Sequence, residues 1–128
     1  MLIQACIAKI HRATVTEANL NYVGSITLDK DLIEAAGIRP FQKVTINNVS
    51  NGAHWQTYVL EGKRGGKSVC LNGPPARHFH PGDTVIIVAY ALLEPKEFDT
   101  LNPIVVFVDK ENTVTEIKKH HGIPVQER

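Results

Sequence analysis

Residues 44–60 have the sequence Val44-Thr-Ile-Asn-Asn-Val-Ser-Asn-Gly-Ala-His-Trp-Gln-Thr-Tyr-Val-Leu60, the clearest strand-turn-strand pattern in the chain. Two runs rich in β-branched and aromatic residues flank the polar tripeptide Ser50-Asn51-Gly52, a pattern typical of two antiparallel strands. Asn-Gly is the preferred dipeptide of a type I′ turn, in which both central residues have positive φ. We therefore predict a β-hairpin with Asn51 and Gly52 at its tip.

Short strand-like runs continue on both sides of this hairpin. They are separated by turns rich in Gly, Pro and Asn, and lie at residues 3–16, 26–28, 68–71, 84–93, 104–108 and 113–117. A helix is predicted from Asp29, which can cap its first turn, to Gly37, which ends it. A short helical turn is predicted at 94–100. This spacing is typical of a small all-β barrel or sandwich, and we expect one domain over residues 1–128.

The composition argues against several classes of protein. Lys and Arg number 14 against 13 Asp and Glu, a net charge of +1, so no overall basic surface for nucleic acid is expected. No apolar run approaches the roughly 20 residues that span a bilayer, and no signal peptide is predicted. Cys6 and Cys70 are isolated in apolar segments, which predicts buried, reduced thiols and a cytoplasmic location.

Histidine pairs raise the question of a metal site. His78-Phe-His80 has the spacing of some metal ligands, but no Cys or carboxylate cluster accompanies it, so we expect no metal. His120-His121 belongs to a polar tail that begins at Lys118, and these side chains are expected to be solvated.

A set of residues spread over most of the chain carries a family resemblance. They stand at three places: Lys9-Ile-His11-Arg12 with Tyr22-Val-Gly24-Ser25, Asn51-Gly52 with Thr57-Tyr58, and Asn72-Gly73-Pro-Pro-Ala-Arg77 with Pro81-Gly82-Asp83. Their order and spacing resemble the pyruvoyl-dependent aspartate 1-decarboxylases of bacteria, with a further echo at 123–126. The resemblance implies a six-stranded double-psi β-barrel with one or two short helices. It also implies a homotetramer with active sites at subunit interfaces.

The resemblance further implies that the chain cleaves itself between Gly24 and Ser25, giving a β chain, 1–24, and an α chain, 25–128. The Ser25 hydroxyl would attack the Gly24 carbonyl to give an ester by an N-to-O acyl shift. Elimination of that ester would leave dehydroalanine at residue 25, and its hydrolysis would give a pyruvoyl group and ammonia. That group would be the cofactor, forming a Schiff base with L-aspartate and accepting electrons as carbon dioxide leaves. The product would be β-alanine, used for pantothenate and coenzyme A. We expect Gly24 to adopt backbone angles that other residues resist.

Roles follow from the matched positions. Tyr58 matches the family's proton donor, and Thr57 matches a threonine that hydrogen-bonds the carbonyl at the cleavage site and lies in the substrate pocket. The other matched residues line the site or hold substrate and cofactor: Lys9 as a substrate-carboxylate contact, His11 and Tyr22 around the cleaved bond, and Asn72 and Gly73 in a supporting loop.

One substrate-binding position departs from the family pattern. The family has an arginine three residues before Thr57, where this sequence has His54, and Asn47 replaces an aromatic residue found in many members. Histidine is mostly neutral at pH 7 and lacks the planar fork of arginine. Losing a charge-assisted hydrogen bond costs about 1.5–3 kcal/mol, which is roughly tenfold to a hundredfold in affinity. We expect His54 to face the substrate and to bind it best when protonated.

Two other functions remain open at this point. Because His54 replaces the family's arginine, the protein could be a homologue that is not processed or that has altered specificity. A small β-barrel could also be a DNA-binding module, which would need a clustered basic face. Some members of the family need a helper protein for cleavage, and the sequence leaves open whether a maturation factor is a partner here. No nucleic-acid or membrane partner is expected.

Overall fold

Strands dominate the computed structural model of the protein, which describes residues 1–121. The helices and strands, in chain order, are β1 (Ile3–Thr14), β2 (Glu17–Asn19), β3 (Ser25–Asp29), α1 (Lys30–Ala36), β4 (Lys43–Asn48), β5 (His54–Gly62), β6 (Val69–Asn72), a 3₁₀ helix (Pro74–Arg77), β7 (Thr84–Leu93), α2 (Pro95–Asp99), β8 (Ile104–Val108) and β9 (Val114–Lys119). This confirms the mainly β class with two short α-helices. The family echo at 123–126 lies outside the described residues.

All nine strands of the described chain belong to one sheet, in the order β2-β6-β3-β5-β4-β7-β1-β8-β9. The six contiguous strands from β6 to β1 form a curved sheet. The chain just after β1 lies beside the start of β6, so the two outer strands of these six come together. Thr16, just after β1, donates its backbone N–H to the Val69 carbonyl over 2.9 Å, and the Val69 N–H donates to Thr16 Oγ1 over 2.9 Å. The arrangement is consistent with a small β-barrel, to which β2, β8 and β9 are additions.

Apolar side chains on alternate positions of the strands fill the interior. Ile10, Ile26, Ile46 and Val59 have no exposed surface. Two bulges in β1 shift its pairing with β7, and the second, between Ile10 and Ala13, keeps both of these residues in the core. The interior is therefore packed with side chains, and polar chemistry is confined to the outer face of the sheet and to its ends.

The hairpin of residues 44–60 is confirmed as β4 and β5, but its predicted type I′ turn is wrong. Gly52 has a φ of 77°, whereas Asn51 does not have positive φ. The loop is longer than two residues: the Asn48 N–H donates to the Ala53 carbonyl over 2.8 Å, and the Gly52 N–H donates to the Asn48 carbonyl over 2.8 Å. Side-chain oxygens of Asn48 and Asn51 each accept a further backbone N–H within this loop, which stabilises the longer form.

Helix α1 has the predicted caps. Asp29 accepts the Asp31 N–H over 2.8 Å, and Gly37 ends the helix with a φ of 71°. The carboxylate of Asp29 is buried and also accepts the backbone N–H groups of Gly65 and Lys67. It therefore joins the helix to the loop that follows β5.

The thiol prediction is half correct. Cys70 is buried and free, as expected, but Cys6 is exposed, because the alternation of β1 directs it outward between two inward-facing alanines. Within residues 1–121 no helix is long and apolar enough to cross a membrane.

Candidate active site

Ser25 is the first residue of β3, and its side chain has no exposed surface. It pairs with Asn72 of the antiparallel neighbour β6, so the two side chains lie on the same face of the sheet. The Ser25 hydroxyl donates to the Val23 carbonyl over 3.4 Å and accepts from Asn72 Nδ2 over 3.2 Å. A nucleophilic oxygen is thus held, away from water, beside the peptide bond that precedes it.

The glycine with special backbone requirements is Gly73, not Gly24. Gly24 does not have positive φ, and a Cβ there would be 3.7 Å from Pro74 Cδ, an ordinary contact. The expectation that Gly24 needs unusual backbone angles is therefore wrong. Gly73 has a φ of 79°, and a Cβ on it would lie only 2.8 Å from the Gly24 Cα and 3.1 Å from the Tyr22 carbonyl oxygen. The absence of a side chain at residue 73 lets the loop press against the backbone of the Gly24-Ser25 bond.

Asn72 connects Ser25 to two residues that the sequence analysis missed. Asn72 Nδ2 also donates to Thr27 Oγ1 over 3.2 Å, and Cys70 Sγ donates to Asn72 Oδ1 over 3.1 Å. The sequence feature that could have indicated these contacts is the alternation of polar residues on two strands. Ser25 and Thr27 are two positions apart on β3, and Cys70 and Asn72 are two positions apart on β6. This alternation becomes informative only when the antiparallel register, Thr27 opposite Cys70, is known.

Tyr58 lies on β5, the parallel neighbour of β3. Ile26 is opposite Val59, so Tyr58 stands at the level of Ser25 on the adjacent strand. Its ring stacks on that of Phe41, with centroids 5.8 Å apart and an interplanar angle of 15°. Thr57 is half-buried, and within the described residues its hydroxyl makes no hydrogen bond to the Gly24 carbonyl. The contact expected for Thr57 stays a prediction.

Lys9 and His54 lie elsewhere on the sheet. His54 precedes Tyr58 by four residues, which places it about 13 Å farther along β5. Lys9 is on β1, separated from β5 by β4 and β7. The structure therefore gathers Ser25, Asn72, Gly73 and Tyr58 at one place, but a single chain does not bring Lys9 and His54 beside them.

His54 borders an open groove of about 440 Å³ on the outer face of β4 and β5. Its Nδ1 is 2.7 Å from Asn47 Oδ1, and the two residues are cross-strand partners. An amide oxygen only accepts hydrogen bonds, so His54 Nδ1 is the donor in this contact. The substitutions at 47 and 54 are thus structurally linked.

His11 and Tyr22 occupy different surroundings. His11 packs edge-on against Phe107, with ring centroids 5.5 Å apart, beside a second groove of about 470 Å³. Burial, and then the charges of Lys9 and Arg12, lower its pKa. Tyr22 is 64% exposed in the segment before Gly24, and its carbonyl oxygen would lie 3.1 Å from a Cβ at residue 73.

The histidine pair at 78 and 80 does not form a ligand set. His80 Nδ1 lies 3.8 Å from Asp83 Oδ2. Over residues 1–121 no group of three or more His, Cys, Asp or Glu side chains is arranged to hold a metal ion.

Fold and site together define a small β-barrel protein with a buried serine beside a constrained peptide bond. A family profile described as aspartate decarboxylase matches residues 1–115. The chain is 53% identical to an aspartate 1-decarboxylase of Caldicellulosiruptor saccharolyticus, covering 95% of this chain and 97% of that relative. An aspartate 1-decarboxylase of Carboxydothermus hydrogenoformans is 55% identical, covering 89% of this chain and 91% of the relative. Another, of Sulfurimonas denitrificans, is 52% identical, covering 91% of this chain and 97% of the relative. The chain belongs to the aspartate decarboxylase family, and these findings do not favour a DNA-binding module.

Proposed function

We propose that this protein decarboxylates L-aspartate to β-alanine and carbon dioxide in the cytoplasm, for pantothenate synthesis, after cleaving itself between Gly24 and Ser25. One observation carries the proposal: the buried Ser25 hydroxyl is held by Val23 and Asn72 directly after Gly24, in a chain of the aspartate decarboxylase family. A hydroxyl fixed beside its own peptide bond reacts within one molecule, which removes the entropic cost of bringing two reactants together.

In the first step Ser25 Oγ bonds to the Gly24 carbonyl carbon. The bond from that carbon to the Ser25 nitrogen breaks, and the hydroxyl proton ends on the same nitrogen, so no second reactant is consumed. The Val23 carbonyl orients the hydroxyl hydrogen, while the Gly73 loop restricts the Gly24 backbone. Thr57 is the proposed donor to the Gly24 carbonyl oxygen. Completion of cleavage divides the single domain into chains 1–24 and 25–128.

The surroundings of Ser25 fit a pyruvoyl group made from this residue. The position is fully buried, and Asn72 Nδ2 offers a hydrogen-bond donor to an oxygen there. When present, a pyruvoyl group supplies a carbonyl that draws in the electrons released by decarboxylation. Asn72 and Gly73 are the residues proposed to hold it.

Tyr58 is the proposed proton donor. A tyrosine hydroxyl can donate a proton from Oη to the carbon that has lost carbon dioxide. The register that sets Tyr58 level with Ser25, and the stacking of its ring on Phe41, support this role.

The substrate carboxylate is assigned to Lys9 and His54 of a neighbouring copy of the chain. These residues lie apart from Ser25 within one copy, and the segment before the cleavage site exposes apolar side chains, Tyr22 at 64% and Val23 at 76%. Exposed apolar surface beside a functional site is typical of a protein interface. We therefore propose a homotetramer whose active sites lie between subunits, with His11 and Tyr22 lining them.

Intact-mass measurement of the purified protein tests this function. The expected result is conversion of the full chain into fragments 1–24 and 25–128, the latter blocked at its N-terminus, together with carbon dioxide release from L-aspartate and not from L-glutamate. Ser25→Ala is the control and should remain whole and inactive. A wild-type chain that stays intact, both alone and with a cell extract that could contain a maturation factor, would refute the proposal.

A further inference from the structure

The carboxamide of Asn72 uses both of its ends in a buried network. Its Nδ2 donates to Ser25 Oγ and Thr27 Oγ1, each over 3.2 Å, while its Oδ1 accepts from Cys70 Sγ over 3.1 Å. All four side chains are on β3 and β6, where the antiparallel register places Ser25 opposite Asn72 and Thr27 opposite Cys70. The carboxamide that contacts Ser25 therefore has two further hydrogen-bond partners.

We propose that Cys70 and Thr27 are positioning residues for self-cleavage, because they fix the Asn72 carboxamide with its N–H toward the Ser25 hydroxyl. This inference rests on the proposed function. Asn72 Nδ2 donates to Ser25 Oγ, and the Val23 carbonyl accepts the hydrogen of the Ser25 hydroxyl. These two bonds fix the rotation of the hydroxyl group and leave one lone pair of Oγ free to attack.

Cys70 anchors the end of the carboxamide that faces away from Ser25. Without a donor at residue 70, Oδ1 is left buried and unsatisfied, which favours rotation of the carboxamide toward another partner. Nδ2 then leaves Ser25. Burial, and then the charge of Glu17, raise the pKa of the Cys70 thiol to about 11, so it keeps the hydrogen it donates at neutral pH. Thr27 acts at the other end, where it accepts the second Nδ2 hydrogen.

The test follows cleavage of the purified full-length chain over time by intact mass. Cys70→Val keeps an apolar side chain of similar size but removes the donor, and we expect cleavage to slow about fivefold to tenfold. Cys70→Ser restores a donor and should stay within about twofold of wild type. Leu71→Met is the matched control, since it changes a fully buried neighbour on β6 that takes no part in the network. Thermal unfolding of each variant identifies any that fails to fold, in which case Thr27→Val makes the same test.

A double-mutant cycle separates positioning from general stability. In an Asn72→Ala background, Cys70→Val should no longer change the cleavage rate, because its effect passes through Asn72. An equal loss in both backgrounds, or no loss in either, overturns the inference while leaving the proposed function intact. A wild-type chain that never cleaves overturns the proposed function, and with it this inference.

Discussion

Replacing Gly73 by alanine should damage both stability and self-cleavage. Gly73 has φ 79° and ψ −145°, a combination essentially confined to glycine, so an alanine there is strained by about 1–3 kcal/mol. Its Cβ would also lie 2.8 Å from the Gly24 Cα and 3.0 Å from the Gly24 nitrogen. Both contacts are with backbone, which must move, adding about 1–3 kcal/mol. We expect Gly73→Ala to lower the free energy of unfolding by about 2–6 kcal/mol in total.

Urea unfolding measures this loss, with Ser25→Ala also present so that cleaved and whole chains are not mixed, and at one protein concentration throughout. Gly52→Ala is the matched control, because Gly52 has φ 77° but a Cβ there meets nothing within 4 Å. It should lose only about 1–2 kcal/mol. With Ser25 present, displacement of the Gly24 backbone should also slow cleavage at least about tenfold. If Gly73→Ala were no less stable than Gly52→Ala and cleaved at the wild-type rate, the proposed constraint on the Gly24-Ser25 bond would be wrong.

Three further outcomes follow from the site and the core. Tyr58→Phe keeps the ring on Phe41 but removes Oη, so fragment formation by mass should persist while β-alanine production falls about 10²–10⁴-fold. His54→Arg should lower the KM for L-aspartate about tenfold near pH 8, because arginine stays charged and binds a carboxylate through two N–H groups; an unchanged KM would remove His54 from the site. Burial alone would raise the pKa of Asp29, but the N–H groups of Asp31, Lys67 and Gly65 and the charge of Lys67 lower it. The carboxylate therefore stabilises the folded state at pH values above its pKa in the unfolded chain, and this stabilisation is lost as pH falls through its lower pKa in the folded state. Asp29→Asn should lower the free energy of unfolding by about 1–3 kcal/mol at pH 7 and by little in acid. Urea unfolding at the two pH values measures the difference.

Local patterns predicted most elements of this fold because the determinants were local. The caps of α1, Asp29 and Gly37, act within one helix turn, and β7 lies at 84–93 as its unbroken apolar run indicates. The turn between β4 and β5 was mispredicted because Asn48 and Asn51 use their side chains on the backbone of the same loop. Such hydrogen bonds compete with the backbone geometry that Asn-Gly would otherwise favour.

The site could be predicted only in part, because its contacts depend on strand register. The Gly24-Ser25 bond and Tyr58 were identified from the resemblance, whereas the contacts of Asn72 with Ser25 and Thr27 require β3 and β6 to be aligned. Cys70 contacts Asn72 from within β6. The prediction that Gly24, and not Gly73, needs unusual backbone angles was wrong for a related reason. The crowding at Gly73 comes from the backbone of residues 22–24, some fifty positions earlier in the chain, and sequence spacing does not reveal such a contact.

The separation of Ser25 from His54 reflects two requirements that conflict within one small chain. Self-cleavage needs a serine shielded from water and held by several partners, and Ser25 has no exposed surface. Substrate capture needs an accessible charged surface, and His54 stands at an open groove. A barrel whose interior is filled with apolar side chains offers no room for both functions at one point. On the proposed function, a second copy resolves the conflict by presenting its Lys9 and His54 to the exposed segment before Gly24. Disrupting that contact in the assembled protein should therefore abolish decarboxylation, while Ser25 keeps the partners that it has within its own chain, Val23 and Asn72.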